Sequence, residues 1–170
     1  MPQPARPLAD IRPAILDDAE QICEVYNHYV MTSTITFEEE PVTPADMANR
    51  IRDVQSASLP WLVAASDGKI LGYAYASKWK GRPAYKFSAE VTIYVRQGLG
   101  HSGIGAQLYG HLLPALKSRG MHAVIGGVAL PNDASLRFHQ KFGFEKVAHF
   151  KEVGYKFNRW IDVTYWQLNL

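Results

Sequence analysis

Residues 90–106 (EVTIYVRQGLGHSGIGA) constrain this chain more than any other stretch. A β-rich run ends at Val95. Four glycines follow within eight residues (Gly98, Gly100, Gly103, Gly105), and an apolar-periodic segment then runs from Ile104 to Arg119. Strand, bare loop and helix start, in that order, form an anion-binding device. The loop amides are not covered by side chains, and the helix N-terminus adds partial positive charge. Glycines serving only tight turns would not need this density between a strand and a helix.

The rest of the chain sets bounds on what such a loop can serve. With 170 residues, 47% hydrophobic and 20% charged, the sequence suits one globular domain with a substantial core. A net charge of +2 is too small to argue for nucleic acid as a partner. Cys23 is the single cysteine, which rules out an intrachain disulfide and a thiolate metal cluster and fits a reducing, cytoplasmic setting. No run of 18 apolar residues is present, so no membrane span is expected. Residues 1–8, rich in proline, read as a disordered tail before a domain at 9–170.

Residues 9–15 form a candidate strand, and Asp17 with Glu20 has the spacing of a capping box at the first helix. Thr43-Pro44 opens a second helix, whose Met47, Ile51 and Val54 face inward. Strands are expected at 61–65, 70–79 and 86–95, the first two joined by an Asp67-Gly68 turn. The long helix after the glycine loop contains Pro114, which costs it a hydrogen bond or a kink, and stops at Gly120. A strand at 122–126, a helix at 133–142 capped by Asn132, and two strands at 144–153 and 157–168 complete the chain, the last two turning near Gly154–Lys156. This order argues a mixed α/β or α+β fold and not a doubly wound parallel sheet. Cys23 lies on the apolar face of the first helix and reads as core.

Three phosphate loops compete for the glycines. A Walker A loop needs Lys-Ser or Lys-Thr after them, which is missing. Gly98-Leu99-Gly100-His101-Ser102-Gly103 matches G-x-G-x-x-G literally. The acidic residue expected at the end of the next strand is absent, however, and too little chain follows for a dinucleotide fold. The third is a pyrophosphate loop of the form Q/R-x-x-G-x-G/A, to which Gly103-Ile104-Gly105 contributes the glycines while Gly100 stands in place of Gln or Arg. Further blocks agree with it: TFEEEP (36–41), GYAYASKW (72–79), RPAYKFSAEVTIYV (82–95), GVALPNDASLRFHQKFGF (127–144) and VGYKFNRWIDVTYWQLNL (153–170). Over nearly the whole chain after the tail, the sequence resembles the GCN5-related N-acetyltransferase (GNAT) superfamily, and within it the phosphinothricin/methionine sulfoximine acetyltransferase group.

The resemblance implies a single-domain GNAT-like fold, with a central, mostly antiparallel and partly parallel mixed sheet flanked by helices. It implies acetyl-CoA as co-substrate and no metal. His101, Ser102, Gly103, Ile104, Gly105 and Ala106 would cradle the pyrophosphate. Ile93, Tyr94 and Val95 would hold the pantetheine arm through backbone, with Asn132 and Ser135 as further contacts. It also places Glu90 and His139 as the catalytic pair facing one acyl group, with the assignment of base and acid left open. From the residues alone, Phe87, Ala89, Val91, Ile93 and Val95 alternate onto one face and Glu90 lies on the other with Ser88, Thr92 and Tyr94. On periodicity alone that pattern favours a solvated or salt-bridged strand glutamate. Asn132, Ser135 and His139 share a helix face at i, i+3 and i+7.

The acceptor implied is the amine of a small amino-acid-like molecule of the phosphinothricin, methionine sulfoximine or methionine sulfone type. Lys80 and Arg82 would bind its acidic groups, Tyr85, Phe37 and Glu38 would wall the pocket, and Glu90 would meet the amine. A homodimer is implied, with no nucleic acid and no membrane. Two alternatives stand beside this reading: a CoA-binding sensor or interaction module without turnover, and an acetyltransferase of another amine class.

Overall fold

The computed structural model describes residues 8–170. Apart from Leu8, the expected tail at 1–8 lies outside the described residues. The elements are β1 (Asp10–Pro13), α1 (Ala19–Thr32), α2 (Pro44–Ser56), β2 (Trp61–Ser66), β3 (Lys69–Lys78), β4 (Ser88–Val95), α3 (Ile104–Ser118), β5 (Ala123–Ala129), α4 (Asp133–Lys141), β6 (Glu145–Lys156) and β7 (Arg159–Asn169). This is the expected order and a mixed α/β fold. Neighbouring strands are hydrogen-bonded in the order β1-β2-β3-β4-β5-β7-β6. The β1/β2, β2/β3, β5/β7 and β6/β7 pairs are antiparallel, and β4/β5 is parallel. The chain divides into two compact units.

The first unit comprises residues 8–26, Val42–Tyr75 and Ile93–Leu116. Its core is built from strand residues such as Val63 and Ala74 and from the inner face of α3. Ile104, Leu108, Leu112 and Leu116 recur every four residues and are fully buried, each contributing roughly 1.5–3 kcal/mol. Trp61 stacks on Tyr75 at 4.1 Å and on Tyr73 at 5.6 Å between ring centres. Asp67 and Gly68 both take positive φ, as a two-residue hairpin turn requires. Thr43 caps α2 by accepting the Asp46 amide, with Pro44 in the first turn. Cys23 is buried, and burial pushes its thiol up to about 11, as befits core.

One feature of this unit departs from the sequence reading. The first helix is not opened by an Asp17–Glu20 box. A 3-10 turn over Leu16–Asp18 precedes α1, and the carboxylate that fixes it is Asp18. Asp18 accepts the Ile15 amide at 2.9 Å and takes both Arg12 guanidinium nitrogens at 2.8 Å. A bidentate partner from β1 makes Asp18 the better anchor, and it is buried.

The second unit comprises Asn27–Pro41, Ala76–Thr92 and Lys117–Leu170. Asn132 caps α4 by accepting the Ser135 amide, and Gly143 ends it at φ +85°. In β5, Val124 and Val128 are buried on one face, with Trp166 as the β7 partner of Gly126. The last turn differs from expectation. Strand β6 runs on through Gly154 to Lys156, and the turn is Phe157-Asn158, both at positive φ between the partners Lys156 and Arg159. Upstream, Lys151, Glu152 and Val153 bulge opposite Asp162, between the pairs Phe150–Val163 and Gly154–Ile161. Asp162 pins the bulge by accepting the Glu152 amide at 2.9 Å while its other oxygen meets His149 Nε2 at 2.7 Å. Phe87, expected on the buried face of β4, precedes the strand and is exposed.

Candidate active site

In the first unit the glycine loop is a set of tight turns leading into α3. The Leu99 amide donates to Arg96 O, and the Ser102 amide and hydroxyl both donate to Leu99 O. The Ser102 hydroxyl also accepts from the Ile104 amide at 3.5 Å. Its side chain therefore shapes the loop, and the first-turn amides of α3, from Ile104 onward, have no intrahelical acceptor. Gly98 and Gly103 take positive φ, and a Cβ on Gly98 or Gly100 would meet nothing within 4 Å. No side chain crowds the loop at these two glycines. Arg96, just before it, is committed elsewhere, with Nε donating to Ile70 O and both terminal nitrogens to Glu24.

Tyr94, Val95 and Ile104 converge on Gly72 of β3. A Cβ there would lie 2.9 Å from Tyr94 O and 3.3 Å from both the Val95 Cα and the Ile104 side chain. Only glycine permits this approach. The Tyr94 ring packs against Tyr26 and Tyr73.

In the second unit, β4 and β5 pair in parallel from Ser88–Ala123 through Ala89–Val124 to Glu90–Ile125. Register partners point to the same face. Glu90 therefore shares the face of Ile125, and the next residue of β5, Gly126, opens to the other. There a Cβ would lie 2.8 Å from His139 Nε2. Glu90 and His139 do not face one side together.

Glu90 is half-buried. Burial raises its carboxyl above the ordinary range, with the Lys80 ammonium acting against that. Burial lowers the His139 imidazole, with the hydrogen bond to the Ser135 carbonyl opposing. The ring is 3% exposed. Its Nδ1 donates to Ser135 O at 2.8 Å and lies 3.4 Å from Ser135 Oγ. That bond fixes the proton on Nδ1 and leaves Nε2, the nitrogen against Gly126, as the acceptor.

On the Glu90 face lies an open cleft of about 510 Å³. Phe37 and Lys80, expected around the substrate, line it, whereas Glu38, Arg82, Tyr85 and Glu90 are not among its lining residues. Its floor is Tyr165, whose ring meets Trp79 and Phe150 edge-to-face at 5.6 and 5.7 Å. Gly127 lies beneath Tyr165, where a Cβ would come within 3.2 Å of the ring. Burial raises the Tyr165 phenol, and the Glu90 charge adds to it, so floor and carboxylate sense each other.

Two parts of this wall were not legible as such. Gly154, read as a turn, is the residue on which the Phe37 ring rests, and any Cβ there would collide with it. Lys156 is 2% exposed and donates to Val30 O at 2.7 Å and Thr36 O at 2.9 Å. It ties the loop carrying Phe37 to the end of α1. Burial lowers its ammonium, and Glu39 and Glu38 oppose that.

Residues 11–165 match the Acetyltransferase (GNAT) domain family, and the chain belongs to it. It is 39% identical over 164 residues to a phosphinothricin N-acetyltransferase of Streptomyces viridochromogenes, covering 96% of this chain and 89% of that one. It is 34% identical over 166 residues to an L-methionine sulfoximine/L-methionine sulfone acetyltransferase of Pseudomonas paraeruginosa, covering 95% of each. A GNAT phosphinothricin acetyltransferase of Sinorhizobium meliloti, solved in complex with AcCoA, superposes with a TM-score of 0.92 at 32% identity, covering 96% of this chain and 89% of that one.

Proposed function

We propose that this protein is an acetyl-CoA-dependent N-acetyltransferase that transfers an acetyl group to the amine of a small amino-acid-like acceptor. Family membership supports the reaction. The glycine loop at the start of α3 suits the donor, since backbone amides at a helix N-terminus offer what a pyrophosphate needs. His101 to Ala106 would hold that group, Ile93 to Val95 would pair their backbone with the pantetheine arm, and the side chains of Asn132 and Ser135 would add polar contacts. Acetyl-CoA supplies the acetyl group as a thioester when bound.

The observation that supports the mechanism is that Glu90 and His139 lie on opposite faces. As the N–C bond forms and the C–S bond breaks, the ammonium must lose two protons and the leaving sulfur must gain one. Glu90, ionised and on the cleft face, takes the first, directly or through water. His139 begins neutral with Nε2 as acceptor, takes the second, and passes it to sulfur. Neither step requires an acid that is charged at rest.

We further propose that residues 9–170 form the acetyltransferase domain and that the protein acts in the cytoplasm as a homodimer. Trp160, exposed near the turn between β6 and β7, would lie at the subunit contact. A thiol-release assay with acetyl-CoA and an amine panel including methionine sulfone and phosphinothricin tests the reaction. Release with at least one amine is expected. Tight CoA binding without release from any amine would make the protein a sensor.

A further inference from the structure

The chemistry of the cleft narrows the acceptor, on the premise that the acetyltransferase reading holds. Among the described residues that line it, Lys80 alone carries a charge. Its ammonium sits over the Trp79 ring at 4.9 Å, so the one cation is held at the aromatic end. The remaining wall carries no charge and is mostly apolar, its polar groups being the Gln167 amide and the Tyr165 hydroxyl. Trp79, Tyr165 and Phe150 form an edge-to-face run of rings, and Val153 stands above it where the Asp162-pinned bulge directs β6 into the cleft. Phe37 closes the side, seated on Gly154. Phe150 and Val153 are exposed at 49% and 57%, which is costly for apolar groups unless a ligand covers them.

A doubly acidic acceptor such as phosphinothricin brings a carboxylate and a phosphinate. One would pair with Lys80. The other would find no second cation, only the neutral Gln167 amide and Tyr165 hydroxyl, and would lie next to the Glu90 charge, which repels it. An acceptor with one carboxylate and a large apolar side chain meets the opposite situation. Lys80 takes the carboxylate, the amine is directed to the Glu90 side, and the side chain covers the rings. The volume of about 510 Å³ accommodates an indole or phenyl side chain.

We infer that the preferred acceptor of this enzyme is a monocarboxylate amino acid with an aromatic or comparably large apolar side chain, its carboxylate on Lys80 and its side chain on the Trp79–Tyr165–Phe150 surface. The test is kcat/KM for thiol release at saturating acetyl-CoA. The panel is L-phenylalanine, L-tryptophan, phenethylamine, methionine sulfone and phosphinothricin. Phenylalanine or tryptophan should exceed phosphinothricin by about tenfold or more, the scale on which apolar pockets discriminate. Phe150→Ala should lower the ratio of phenylalanine to methionine sulfone. Lys80→Met should erase the advantage of phenylalanine over phenethylamine, which lacks the carboxylate. Phosphinothricin used as well as or better than both aromatic amino acids would overturn the inference while leaving the acetyltransferase intact. So would a phenylalanine preference unchanged in Phe150→Ala. Thiol release with none of the amines would overturn the acetyltransferase reading itself.

Discussion

Glu90 and His139 lie on opposite faces of the sheet, one residue apart along β5. Glu90 is the register partner of Ile125, and the His139 ring packs beneath Gly126. Two proton acceptors placed this way cannot exchange a proton directly. They can act on one reaction from its two sides, Glu90 at the nitrogen and His139 between the nitrogen and the sulfur.

Glu90→Gln should lower kcat by about 10²-fold or more, the usual weight of a positioned base. Burial raises the Glu90 carboxyl above its ordinary 4.5, so the wild-type rate should fall as pH drops through a value higher than that. Lys80 holds the value down, and Lys80→Met should therefore move this limb to higher pH. The kcat profile from pH 4 to 9 checks both. Glu90→Gln should keep only the limb set by His139 protonation, and an unchanged kcat with an unchanged profile would remove Glu90 from the mechanism.

His139, also an acceptor in this scheme, adds an acid limb of its own, and its test lies on the alkaline side. Burial lowers its imidazole below the ordinary 6.5, so the ring is neutral at pH 7. If it enters the reaction as an acceptor, kcat shows no alkaline fall that belongs to it. An alkaline limb that disappears in His139→Asn would mean that the ring starts protonated and acts as the resting acid. Gly126→Ala tests its placement, because the new methyl must displace Nε2 from 2.8 Å. The ring is held by Ser135 and packs edge-on against Phe144 at 5.1 Å, so it cannot swing away freely. A loss of about 1–3 kcal/mol in stability with a lower kcat is expected.

How much of this was legible in the sequence depends on the range of the interaction. The Thr43-Pro44 cap, the Asp67-Gly68 turn, the Asn132 cap and the glycine stops are local, and they stand where the residues put them. Gly154 misled because a glycine can serve a turn or a close approach. The second use depends on Phe37, more than a hundred residues away. Asp18 displaced Asp17 as the anchor because Arg12, on another element, reaches it with two nitrogens. The face relation of Glu90 and His139 needed the β4/β5 register, which no periodicity within either strand contains. Lys156 gave no signal at all, since a lysine in a strand is ordinarily solvated and its burial here depends on the distant carbonyls of Val30 and Thr36.

Lys156→Met should act on the acceptor side. It removes two hydrogen bonds from the segment that carries Phe37 and leaves the α1 end and the loop without their tie. We expect a stability loss of about 2–4 kcal/mol and a raised amine KM, with the acetyl-CoA KM little changed. Gly154→Ala should reproduce the amine KM effect by pushing the Phe37 ring off its seat. Steady-state kinetics with each substrate varied checks the pair. A rise confined to the acetyl-CoA KM in either variant would separate this wall from the acceptor.

The Arg12–Asp18 pair predicts a pH-dependent stability unrelated to catalysis. Burial alone would raise the Asp18 carboxyl, but the hydrogen bonds from Arg12 and the Ile15 amide outweigh it and hold it below its ordinary 3.8. A carboxyl lowered in the folded state contributes stability that is fully present above 3.8 and is lost as pH falls through the lowered folded value. Arg12 is 33% exposed, so solvent screens part of the pair, and Asp18→Asn should cost about 1–3 kcal/mol at pH 7. Urea unfolding of wild type and Asp18→Asn at pH 7, 5 and 3 checks the sign. The gap between them should hold from pH 7 to 5 and narrow below 3.8. A gap of constant size at pH 3 would show that the asparagine disturbs packing and that the ion pair itself contributes nothing.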